Sequence, residues 1–132
     1  MFVHVSVRTS DMDRSLKFYT KFLGLQIESR KEIVQTNAEI VFLQDPSGKG
    51  AKLELTLYRD QKKFIQADYE YRLFDHLAFE VEDMQQTLKA MREAGVNITD
   101  EPYRLSPTGS LLAFVEDPDG TLIELIEKQV PS

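Results

Sequence analysis

The 132-residue chain contains no cysteine. That excludes disulfides, thiolate zinc sites, iron–sulfur clusters and a cysteine nucleophile. It is compatible with the reducing cytoplasm, which is the expected location. An excess of basic charge is also missing, since 16 Lys+Arg against 22 Asp+Glu leave a formal charge of −6. A nucleic-acid duplex or an anionic membrane would have to be held against that field, and no basic cluster is longer than a pair such as Lys62-Lys63. Neither partner is expected, although a local Arg could still take a small anionic substrate. No uncharged apolar run approaches the roughly 18 residues of a membrane helix. The opening Met1-Phe2-Val3-His4-Val5-Ser6-Val7-Arg8 lacks a basic region followed by an apolar one, so no secretory leader is expected. Histidine is scarce, with two in the whole chain.

What remains is the composition of an ordinary globular protein, 42% apolar and 29% charged. The length suits one domain on a rough scale of 100–200 residues each. A chain of this size buries about two-thirds of its unfolded surface.

The chain repeats itself, which is the first thing to seek in a sequence. With His4 placed over His76, Asp follows seven residues later in both halves (Asp11, Asp83) and Met eight later (Met12, Met84). Leu16-Lys17 matches Leu88-Lys89. Phe42-Leu43-Gln44-Asp45-Pro46-Ser47-Gly48 matches Phe114-Val115-Glu116-Asp117-Pro118-Asp119-Gly120, the Asp–Pro pair lying 41 residues beyond its histidine each time. Leu53-Glu54-Leu55 matches Ile123-Glu124-Leu125.

Each half has the same expected structure. Val3, Val5 and Val7 alternate with His4 and Ser6, as a half-buried strand does. Ser10 or Asp11 can cap the next helix. Met12, Leu16, Tyr19 and Leu23 form its apolar stripe, and Gly24 stops it. Strands follow at 25–30, 39–44 and 52–58, the last two joined across a turn at Asp45-Pro46-Ser47-Gly48. In the second half a strand at 76–81 precedes a helix capped by Asp83, with Met84, Leu88 and Met91 on one stripe. Strands at 111–116 and 121–127 flank the Asp117–Gly120 turn, and 102–109 reads as a loop. The fold class is therefore α+β, two tandem βαβββ modules at 1–58 and 74–128. The connector 59–73 is solvated at its start, and packed or substrate-facing around Tyr69, Tyr71 and Leu73. The tail from Lys128 is a frayed terminus.

Each module thus carries one His on its first strand and one Glu on its last: His4, Glu54, His76 and Glu124. Neighbours on a strand point to opposite faces, so each Glu faces away from the apolar residues beside it. Singly, such a Glu faces water and such a His is a surface or hydrogen-bonded residue. As a repeated set using every histidine in the chain, they suit a divalent metal: nickel, zinc, iron, manganese or cobalt. Such an ion can polarise a carbonyl and stabilise an enolate, while a carboxylate at its edge moves a proton on the neighbouring carbon.

The paired modules and these four residues resemble the vicinal oxygen chelate superfamily, which includes glyoxalase I, epimerases, antibiotic-resistance proteins and extradiol dioxygenases. The resemblance covers residues 2–128. Its C-terminal pattern, Leu112-Ala113-Phe114-Val115-Glu116-Asp117-Pro118-Asp119-Gly120-Thr121-Leu122-Ile123-Glu124-Leu125-Ile126-Glu127, is similar to that of the short bacterial lactoylglutathione lyases. The resemblance implies curled mixed sheets around a shared metal-binding cleft. It places His4, Glu54, His76 and Glu124 on the metal-ligand positions, with nickel or zinc, or else cobalt or manganese, as the ion. It implies glutathione as cosubstrate and conversion of the methylglyoxal–glutathione hemithioacetal to the lactoyl thioester through an enediolate. Glu124 is then the principal base and Glu54 its partner, and Arg8 pairs with a glutathione carboxylate. A homodimer is implied, in which His4 and Glu54 of one chain meet His76 and Glu124 of another.

The departures from the lyase pattern fall on the thiol side. Tyr58 stands where the bacterial lyases commonly have Asn. Tyr71-Arg72-Leu73-Phe74-Asp75 replaces a Gly-rich lead into His76. Arg104 lies in a loop without the usual Lys-Gly-rich pattern, where it could replace a basic thiol-binding residue. Another superfamily isomerase is the alternative, although methylmalonyl-CoA epimerase usually has Gln at the position of Glu54. A bleomycin-resistance-like binding protein is a further one, although such proteins commonly lack the full ligand set.

Overall fold

The computed structural model describes residues 1–61, 63–64 and 68–129. Positions 62 and 65–67 of the expected connector, and 130–132 of the tail, lie outside the described residues. The chain divides into two compact units, Met1–Ile65 and Gln66–Ser132.

In the first unit β1 (His4–Arg8) leads into α1 (Met12–Lys21), followed by β2 (Gln26–Ile33), β3 (Ala38–Gln44) and β4 (Lys52–Tyr58). The sheet order is β1-β4-β3-β2. β1 runs parallel to β4 and the other neighbours are antiparallel. Between Ser10 and Asp11, Asp11 takes the cap, its carboxylate accepting the Arg14 backbone N–H at 3.1 Å. Such a cap contributes about 1 kcal/mol over Ala. Ser10 instead accepts from the Arg14 guanidinium at 3.0 Å. α1 ends two residues before Leu23, and Gly24 turns the chain at φ 71°, where a side chain would be strained. The apolar stripe buries Met12, Leu16 and Tyr19 on the side of the sheet that carries Val7, Val41, Leu43, Leu53 and Leu55, all buried.

The second unit repeats the order: β5 (Leu77–Glu80), α2 (Met84–Glu93), β6 (Ile98–Arg104), β7 (Leu111–Glu116) and β8 (Leu122–Glu127). Its sheet is β5-β8-β7-β6, with β5 parallel to β8. Asp83 caps α2 through the Gln86 N–H at 3.1 Å. Met84, Leu88 and Met91 are buried with Ala113, Val115, Ile123 and Leu125. Asp117 holds the turn together, its Oδ1 accepting from the Asp119 and Thr121 backbones at 2.9 and 2.8 Å.

The fold is thus α+β in two tandem βαβββ modules, as expected, with local differences. β2 runs on to Ile33 instead of ending at 30, because its pairing with β3 continues to Ile33↔Ala38. The hairpin then closes through a 3-10 turn at Val34–Thr36 and Asn37 at φ 50°. The stretch expected as a loop at 102–109 begins as strand. Pro102 lies within β6, an edge strand of its sheet, where the pairing with β7 is interrupted between Asp100 and Tyr103, so a residue without an N–H is tolerated there. In the connector, Tyr71 and Leu73 are exposed and so are not packed. Among the described residues no helix is long and apolar enough to cross a membrane.

Candidate metal and substrate site

With the helix on one side of each sheet, the polar residues of the alternating strands are left on the other. In the first unit that open face carries His4, Ser6 and Arg8 of β1 and Glu54, Thr56 and Tyr58 of β4. The register pairs Ser6 with Glu54, so His4 lies two residues, one side-chain repeat, before the partner of the glutamate. The His4 ring packs edge-to-face on Phe42, centroids 5.3 Å apart, and Phe42 is the β3 partner of Glu54. Glu54 is held by its neighbours. Thr56 Oγ1 donates to Glu54 Oε1 at 3.3 Å and lies 3.1 Å from Ser6 Oγ. Further along the face, the Arg8 guanidinium lies 4.7 Å over the Tyr58 ring and donates to Gln61 Oε1 at 3.3 Å. A pocket of about 470 Å³ borders His4 and is lined also by Phe2, Val3, Glu28, Phe42 and Lys52. Lys52 is committed to Glu28 at 2.6 Å.

The second unit reproduces this register. Ala78 pairs with Glu124, so His76 stands two residues before the partner of its glutamate. His76 packs edge-to-face on Phe114 at 5.3 Å, and Phe114 is the β7 partner of Glu124. Here the pair is close: His76 Nε2 lies 3.8 Å from Glu124 Oε2, with the side chains 30% and 17% exposed. The other ring nitrogen, Nδ1, lies 2.6 Å from Asp75 Oδ1. The bond to His76 holds the Asp75 carboxyl below the usual carboxylate range. Asp75 was not singled out in the sequence; its one signal there is its place directly before the second histidine.

The donor set fits a cation. His76 Nε2 and Glu124 Oε2, an imidazole nitrogen and a carboxylate oxygen, face one another, and both are metal-ligand atoms. A divalent ion satisfies both. Among the described residues, however, no group of three or more His, Asp and Glu side chains gathers to hold a metal ion. Each unit supplies a His and a Glu on its open face.

The remaining candidates fall apart from these pairs. Arg104, at the end of β6, donates through Nη1 to the Gly109 carbonyl at 2.7 Å and closes its own loop. Tyr69 of the connector donates to Glu116 Oε2 at 2.6 Å. Burial first, and then that bond, push its hydroxyl pKa up to about 12. The Arg72 guanidinium lies 4.1 Å over the Tyr69 ring. A groove of about 370 Å³ lined by Met84, Leu88, Arg92, Glu101, Pro102 and Leu111 involves neither His76 nor Glu124.

A model of the Glyoxalase/Bleomycin resistance protein/Dioxygenase superfamily matches residues 1–125. The lactoylglutathione lyase of Haemophilus influenzae is 35% identical over 128 residues, covering 96% of this chain and 92% of that protein. A putative lactoylglutathione lyase of Brassica oleracea is 32% identical over 129 residues. This chain spans only 44% of that plant relative's length. Among solved structures, the trypanothione-dependent glyoxalase I of Leishmania major superposes with a TM-score of 0.78 at 31% identity, over 97% of this chain and 86% of that one.

Proposed function

Because the chain belongs to the glyoxalase/bleomycin resistance protein/dioxygenase superfamily, we propose that it is a metal-dependent lactoylglutathione lyase, converting the methylglyoxal–glutathione hemithioacetal to the lactoyl thioester. The observation that carries this reading is the repeated register. In both units a histidine stands two residues before the strand partner of a glutamate and packs on the phenylalanine paired with it. Relatives named as lactoylglutathione lyases, covering nearly all of this chain, support it.

His4 and Glu54 of the first unit and His76 and Glu124 of the second would supply the ligands of the ion, nickel or zinc, or else cobalt or manganese. The two pairs come from one chain or from two. Bound there, a divalent ion supplies Lewis-acid polarisation of the substrate oxygens. The protein's own groups do the rest. Glu124 takes the proton from C1 and returns it to C2 by way of an enediolate. Glu54, steadied by Thr56, shares the proton relay. Arg8 binds a carboxylate of the thiol, its planar fork matching that group. Tyr58 lies against the Arg8 guanidinium and replaces a flexible cation with an oriented one. Arg104 is the other candidate cation for the thiol, its guanidinium also donating to the Gly109 carbonyl. The enzyme acts in the cytoplasm as a homodimer on a small molecule, without nucleic acid or membrane; exposed Phe2 and Val3 beside the His4 face support the pairing.

The test is to strip the protein with chelator and return nickel, cobalt, zinc or manganese one at a time, with methylglyoxal and glutathione as substrates. Activity lost on stripping and regained with one ion is the expected result. Stripped protein that turns over at the untreated rate overturns the metal assignment. Tight metal binding without turnover overturns the glutathione adduct as substrate. Arg8 has its own test. Arg8→Ala is expected to raise KM for the adduct about 10-fold with little change in kcat. An unchanged KM removes Arg8 from the site.

A further inference from the structure

We propose that Asp75 is a positioning residue for His76, setting its tautomer so that Nε2 is the nitrogen presented to a metal ion. This rests on the metal reading of His76 and Glu124. An ionised carboxylate only accepts hydrogen bonds. Asp75 Oδ1, 2.6 Å from His76 Nδ1, therefore places the ring proton on Nδ1. Nε2 keeps its lone pair, and Nε2 is the nitrogen 3.8 Å from Glu124 Oε2. Phe114, standing at 89° to the imidazole, fixes the ring plane. A metal-bound histidine whose other nitrogen donates to a carboxylate is both oriented and more basic.

The position before His4 offers no such partner. The residue before His4 is Val3, which has no acceptor on its side chain. The two histidines, alike in register and in their aromatic neighbour, are thus different ligands. His76 is set in advance by the residue that precedes it, and Val3 cannot do this for His4.

Asp75 has an 82% exposed side chain, so its replacement leaves no cavity and the fold tolerates it. Two measurements on Asp75→Ala and Asp75→Asn test the role. The first is long-range proton–nitrogen NMR of the metal-free protein about two pH units above the ordinary histidine value of about 6.5. Wild-type His76 is expected as the Nδ1–H tautomer. Asp75→Ala should shift it toward Nε2–H, and Asp75→Asn, which keeps a neutral acceptor, should fall between. The second is calorimetric titration with zinc or nickel alone. Asp75→Ala is expected to bind about 10–100-fold more weakly. Wild-type His76 as Nε2–H, or a tautomer unmoved in Asp75→Ala, overturns the proposal. Equal metal affinity in wild type and Asp75→Ala overturns it as well, while the metal reading stands. A wild type that binds neither ion brings down the metal reading and this proposal together.

Discussion

Glu124→Gln is expected to lower kcat by about 10²–10⁴-fold, the range that a positioned acid–base group contributes. The substitution keeps the size and shape of the side chain and removes its capacity to take a proton. Glu124 lies on β8 between Ile123 and Leu125, with its carboxylate on the open face beside His76. The fold does not depend on that charge. The pair with His76 is 3.8 Å apart and partly solvated, so its loss should change stability by less than about 1 kcal/mol. Because Gln is also a poorer metal ligand, the rate is measured at saturating metal with occupancy determined in parallel. Activity within a few-fold of wild type at full occupancy removes Glu124 from the role of base. A comparable loss on Glu54→Gln alone would move the base to the first unit.

The neighbouring residue should behave in the opposite way. Leu125→Ala is expected to cost about 2–5 kcal/mol of stability, the sum of lost transfer energy and the cavity left behind. Leu125 is fully buried, paired in register with Phe79 and Ala113, on the sheet face that packs α2. A denaturant midpoint shifted down, with kcat near normal in the fraction still folded, is the expected pattern. A cost below about 1 kcal/mol would mean that this face is not the core of the second unit. Two adjacent residues, one governing rate and one governing stability, follow from the period of two along a strand.

That same alternation explains how much of the site was legible in the sequence. Glu54 and Glu124, each set between apolar residues, had to face away from the core, and they do. The helix starts at Asp11 and Asp83 were legible as well, because capping is decided within three residues. β6 was not. Its residues are mostly exposed and polar and include Pro102, so no hydrophobic period marks them as strand; edge pairing with β7 makes them one. The C-terminal part of β2 was missed for a similar reason, being an exposed edge strand defined by its partner. Tyr69 read as packed or substrate-facing, yet it bonds Glu116, 47 residues away, which no local pattern signals.

The amino-acid sequence by itself determined the repeat, the α+β class, and which face of each strand His4, Glu54, His76 and Glu124 would take. These are consequences of local geometry and of side-chain solvation. Only the tertiary structure decided that β1 lies parallel to β4 and β5 to β8, in the same register in both units. It alone put His76 Nε2 beside Glu124, Asp75 on Nδ1, and Arg8 over Tyr58. The reason is that strand register is set by a hydrogen-bond ladder between segments about 50 residues apart. Which atoms meet across that ladder depends on the packing of the whole unit.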